Sequence, residues 1–124
     1  MIGDPSEILK RAIEAVKLLA VGYELQLGTL PESVHRPDEI ALIYGDLFLL
    51  LDHVRTAGLI SDSVYSDFQS LNGLLDRMSD DKELWTLESL RSRQEWSHVR
   101  SSAKGLLKKL GAPEAPPDLY WEIW

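Results

Sequence analysis

The stretch Asp4–Gly28, DPSEILKRAIEAVKLLAVGYELQLG, decides the fold class of this chain. Its apolar residues Ile8, Leu9, Ala12, Ile13, Val16, Leu19, Ala20, Tyr23 and Leu27 recur every three or four positions, the period of one face of an α-helix. Asp4 stands where an N-cap acceptor belongs. Pro5 follows at the first helical position, where its missing N–H is harmless, and Glu7 stands where a capping-box acid would reach back. Gly28 is the expected stop.

The same period continues outward. After a loop from Thr29 to Arg36, punctuated by Pro31 and Pro37, a second helix is predicted from Pro37 to about Gly58, with Ile40, Ile43, Leu47, Leu50, Leu51 and Val54 facing inward. A third begins after Ser61 and carries Val64, Phe68, Leu71, Leu75 and Met78. Its connection to the second is short, which favours antiparallel neighbours. A short helical piece is expected from about Leu84 to Arg91. Ser92-Arg93-Gln94-Glu95 reads as a capping box opening a last long helix that ends at Gly111. Four long helices and one short one predict an all-α antiparallel bundle over residues 1–111. Its expected core includes Ile13, Val16, Leu47, Leu50, Phe68, Leu71, Trp96, Val99 and Leu107. Residues 112–124, rich in proline and aromatic side chains, are expected to form a tail docked on that bundle.

Composition removes several classes of function. The 124 residues, 44% hydrophobic and 27% charged, fit one globular domain and exclude wholesale disorder. Without cysteine there is no disulfide framework, thiolate metal site or thiol nucleophile. The N-terminal residues lack the basic and apolar regions of a signal peptide, and no apolar run has membrane-spanning length. A cytoplasmic location is the resulting expectation.

Charge is uneven along the chain. The net −7 divides into −9 over residues 1–90, +5 over 91–111 and −3 over the tail. Arg93, Arg100, Lys104 and Lys108 lie on one flank of the last helix and could follow a phosphate backbone, which makes a regulatory nucleic-acid binder one reading. The acidic total works against it, and internal pairing with acids of the earlier helices is the more economical use of these bases.

The motifs of nucleotide-binding and hydrolytic enzymes are missing, and no cofactor is implied. Glu39, Asp46 and His53 fall seven apart on the second helix, and Glu95 and His98 have Glu-x-x-His spacing. Carboxylate beside histidine is the raw material of acid–base or metal chemistry, so a small helical-bundle enzyme or metal binder is the alternative reading. A di-iron bundle, however, requires two Glu-x-x-His pairs and two further glutamates, and this chain has one such pair.

Two helices are apolar on a second side. Leu18, Val21 and Leu25 form a second strip on the first, and Leu42 and Leu49 form one beside Gly45 on the second. Such strips serve either a second packing contact in the monomer or an interface, including a homodimer through these two helices. Tyr120 and Trp121 raise the same question in the tail.

The leading expectation is a non-catalytic domain that binds a basic protein partner. Glu39, Asp46, Asp52, Asp62, Asp67 and Asp76 would steer that partner, while Leu42, Leu49, Tyr120 and Trp121 would anchor it. In size, charge and helicity, with no shared motif, the chain resembles the small acidic helical immunity proteins that neutralise bacterial toxins. An immunity or antitoxin role is what that resemblance implies.

Overall fold

The computed structural model describes residues 3–124, and those residues form helices and connecting turns without a strand. Helix α1 spans Pro5–Ala20, α2 Tyr23–Thr29, α3 Arg36–Phe48, α4 Leu51–Thr56, α5 Asp62–Met78, α6 Leu87–Ser92 and α7 Gln94–Leu110. A 3-10 turn, Lys82–Trp85, precedes α6. The all-α class read from the sequence holds.

Asp4 caps α1 as expected, accepting from the Ser6 amide at 3.3 Å. Ser61 does the same for α5 through the Val64 amide at 3.1 Å. Gly111 ends α7 in the left-handed region at φ 69°, where a side chain would be strained.

Two helices expected to be continuous are broken. The first stops at Ala20, Val21 and Gly22 adopt extended backbone, and α2 resumes at Tyr23 and runs past Gly28 to Thr29. A break frees the last carbonyls of a helix, which need donors when buried. The fully buried Gln26 provides them. Its Nε2 donates to the carbonyls of Leu18 at 3.1 Å and Leu19 at 3.4 Å, and its Oε1 accepts from Arg100 of α7 at 3.1 Å. Arg100 also donates to the Leu90 carbonyl at 3.0 Å, and burial lowers its pKa. One amide and one guanidinium thus join the end of α1 to α2, α6 and α7.

The expected second helix breaks at Leu49–Leu50, where Leu50 donates to the Leu47 carbonyl at 3.0 Å and accepts from His53 at 3.2 Å. These i to i+3 bonds tighten the backbone into a turn and rotate α4 relative to the α3 register. Leu50, expected in the core, is consequently half-buried, as is Ile13. The other seven expected core residues are buried.

The capping box at Ser92 does not form. Ser92 is the last residue of α6, its hydroxyl donates to the Glu88 carbonyl at 2.8 Å, and α7 starts after Arg93 without a side-chain cap. Glu7 is likewise drawn away from a capping role by Arg11, whose Nε donates to it at 3.0 Å, and by Tyr120.

Helix α1 packs against α7, α3 and α4, while α5 packs against α7, α3 and α4. Tyr44 was absent from the expected core, yet it is buried between α3 and α5. Its hydroxyl donates to the Phe68 carbonyl at 2.7 Å, so the polar atom is satisfied. Its ring stacks with Phe48 and Phe68 at centroid distances of 6.2 and 6.5 Å, and Phe48 in turn stacks on Tyr65. Trp96, donating to the Leu84 carbonyl at 2.6 Å, holds the 3-10 turn against α7 and meets Trp85 edge-on at 5.3 Å. The α3–α5 pair is therefore set by a rigid aromatic ladder.

Candidate functional site

Glu39, Leu42 and Asp46 of α3 and Leu49, the residue that caps its C-terminus in helical backbone, follow one another at spacings of three, four and three, which places them on one side of the helix. That side has no internal partner for its leucines. Leu42 is 56% exposed and Leu49 is 77% exposed. An exposed leucine alone is ordinary; two on one helix face, with acids between them, make a patterned surface.

Gly45 lies within the same strip. A Cβ built on it would meet nothing within 4 Å, so no contact inside the molecule requires glycine there. Glycine in a helix interior costs about 1 kcal/mol relative to alanine, and packing of the monomer does not offset it.

Beside the strip runs a groove of 480 Å³ between α3 and α5. Ala41, Leu42, Gly45, Leu75 and Trp85 supply its apolar walls, while Asp38, Asn72, Asp76 and Ser79 supply its polar groups. Trp85 is fixed by donating its indole N–H to the Met78 carbonyl at 2.9 Å, and its own carbonyl faces His35 Nε2 at 2.9 Å. The groove wall is thus positioned by hydrogen bonds as well as by packing.

The six acids singled out from the sequence fall into two sets. Asp52 lies 2.5 Å and Asp62 3.6 Å from Arg55, whose guanidinium also covers the Tyr65 ring at 4.8 Å. Asp67 lies 2.6 Å from Lys109 of α7. These three are partly neutralised within the molecule. Glu39, Asp46 and Asp76 take part in no ion pair among the described residues, and they are the ones beside the strip or the groove.

The second strip expected on the first helix separates instead. Leu18 is fully buried, Val21 is half-buried at the break, and Leu25 on α2 is 47% exposed. These three do not make one continuous face.

The tail lies along α1. The Asp118 amide donates to Glu14 Oε1 at 2.8 Å, Tyr120 donates its hydroxyl to Glu7, and Arg11 covers the Tyr120 and Trp121 rings at 5.9 and 5.7 Å. Tyr120 and Trp121 meet edge to face at 5.1 Å. Hydrogen bonds from Tyr120 and Arg11 hold the Glu7 carboxyl below its ordinary pKa of 4.5. Tyr120 and Trp121, candidates for partner anchoring, are therefore engaged within the chain and lie apart from the α3 strip.

The groups considered for acid–base or metal chemistry remain apart. His53 and His98 are exposed, no hydrogen bond links Glu39, Asp46 and His53, and Glu95 pairs with Arg93 at 3.2 Å. Among the described residues no cluster of three or more His, Asp or Glu side chains forms that could hold a metal. His98 does line a 410 Å³ cleft between α5 and α7, together with Asp67, Arg77, Ser102 and Lys109. The basic flank of α7 is also dispersed: Arg100 turns to Gln26, Arg93 pairs within its own turn, and Lys104 faces a small pocket with Lys17 and Glu114. Of the bases on α7, Lys109 is the one that forms an ion pair with an acid of an earlier helix.

Among the described residues no helix is long and apolar enough to cross a membrane. Comparison of the chain with protein families, characterised proteins and solved structures returns no match.

Proposed function

We propose that this protein is a non-catalytic binding domain that engages a basic protein partner through the α3 strip and the adjoining α3–α5 groove. The observation that carries this reading is the exposure of Leu42 and Leu49 on one helix face, interleaved with acids that pair with no base among the described residues. Apolar anchors supply affinity in such a surface, and the acids raise the encounter rate and exclude acidic competitors. A second copy of the chain is a poor occupant, because its own strip carries the same negative charge. The sharpest form of the proposal is an immunity or antitoxin role, in which this face covers the basic working surface of a toxin in the bacterial cytoplasm.

The test uses association kinetics with a basic partner captured from the native cell. Reversal of Glu39, Asp46 and Asp76 to Lys is expected to slow association at least several-fold at low salt while leaving the helical spectrum unchanged. Equal rates for the variant and the wild type would defeat the assignment of these acids.

A further inference from the structure

Resting on that reading, the geometry points to the form of the partner as well as its charge: we propose that the α3–α5 groove receives a basic amphipathic α-helix. The groove is walled by two helices, and the described residues contain no sheet edge. An extended segment laid there would find no ladder for its backbone N–H and C=O groups, whereas a helix satisfies its own.

Gly45 is compatible with such an occupant. Helices approach most closely where one of them carries no side chain, and the space over Gly45, as over Gly28 in α2 and Gly105 in α7, is open; Gly45 alone of these three lies on the groove wall. Leu42, on the groove wall, and Leu49, exposed beyond the end of α3, stand one turn to either side of Gly45 and match apolar residues recurring every three or four positions on an incoming helix. The rim sets the charge of the occupant. Asp38 and Asp76 border the groove on opposite walls, and Asp46 lies beside the strip, so lysine or arginine along both flanks of the helix would meet an acid on each side.

Three synthetic peptides of about 18 residues, five turns of helix, test the inference. All are lysine- and leucine-rich, and the first and third share one composition. The first places leucines at helical spacing, with alanine at the position facing Gly45. The second keeps that order but carries two central prolines, and the third shuffles the leucines. Each is titrated into the wild-type protein and into Gly45→Leu at low salt, with amide shifts of α3 and α5 followed by NMR. The first peptide is expected to bind wild type at least about tenfold more tightly than the other two and to shift α3 and α5. It is expected to lose at least about tenfold in affinity against Gly45→Leu, a protein that unfolds at the same or higher denaturant concentration.

Equal binding of the helical and proline-broken peptides on this face would overturn the helical occupant and leave the basic-partner reading standing. Unchanged affinity for Gly45→Leu would overturn the close approach at α3. Absence of binding by all three peptides would overturn the reading and the inference together.

Discussion

Two helices of this molecule carry the same sequence signal and meet opposite fates. Helix α1 and the expected second helix each bear a second apolar strip, yet Leu18 on α1 is fully buried while Leu49 beyond α3 is 77% exposed. The difference lies in what surrounds each helix. Helix α1 is enclosed by α7, α3 and α4, so Leu18 on its second side becomes core, while Val21 falls in the break and Leu25 on α2 stays exposed. Helix α3 is backed by α1, α5 and α6, and its outer side leaves Leu42 and Leu49 exposed beside the groove that it forms with α5. A second apolar strip thus marks a central helix in one case and an unpartnered face in the other. The two glycines differ in backbone and not in surroundings: Gly22 sits in the extended break after α1 and Gly45 inside a regular helix, and a Cβ on either would meet nothing within 4 Å.

That contrast is broken or sharpened first by core truncation. Leu18→Ala should destabilise the protein by about 2–5 kcal/mol, the range for a leucine removed from a packed interior. Leu49→Ala should change stability by no more than about 0.5 kcal/mol, as a solvent-facing substitution does. Urea unfolding of both variants decides it, and comparable losses would place the two strips in the same environment.

The next effect concerns how α1 is allowed to end. Gln26→Leu retains bulk and burial but leaves the Leu18 and Leu19 carbonyls and the Arg100 guanidinium without their amide partner. A loss of about 1–3 kcal/mol follows from leaving buried polar groups unpaired. Unchanged stability would mean that the break at Val21–Gly22 is held by other contacts.

The class of the fold, the cap at Asp4, the start of a helix after Ser61 and the stop at Gly111 were legible because each depends on local chemistry: period, side-chain acceptors and positive φ. The two breaks were not legible, since apolar spacing continues across Val21–Gly22 and Leu49–Leu50. Gln26 reads as a surface residue until its carbonyl partners are placed around it. Tyr44 likewise looks like a boundary residue until the Phe68 carbonyl is brought within 2.7 Å of its hydroxyl. At the candidate site, the strip itself was readable, but its exposure was not, because burial depends on which neighbours α3 acquires. The sorting of acids was also hidden. Asp67 meets Lys109 only through packing of α5 on α7, while Asp46 pairs with no base among the described residues.

The smallest expected effect lies in the docked tail, where surface pairs are weak. Because the folded protein lowers the Glu7 pKa, this contact stabilises docking above the ordinary value of 4.5 and loses that contribution as pH falls from 4.5 through the lowered value. Acid titration of the Tyr120 ring signals by NMR should show the tail loosening over that interval, with Glu7→Gln abolishing the transition. A transition that persists in Glu7→Gln would assign it to another carboxylate.

The central claim, that the outer face of α3 is a recognition surface, is tested most directly by Leu42→Gln/Leu49→Gln, which removes both anchors without altering charge. The measurement is calorimetric titration of the helical basic peptide into wild type and the double variant at equal ionic strength, alongside their urea midpoints. The account predicts an unchanged midpoint and an affinity reduced at least about thirtyfold, the scale of a lost interface hot spot. Equal affinity for the two proteins would contradict it.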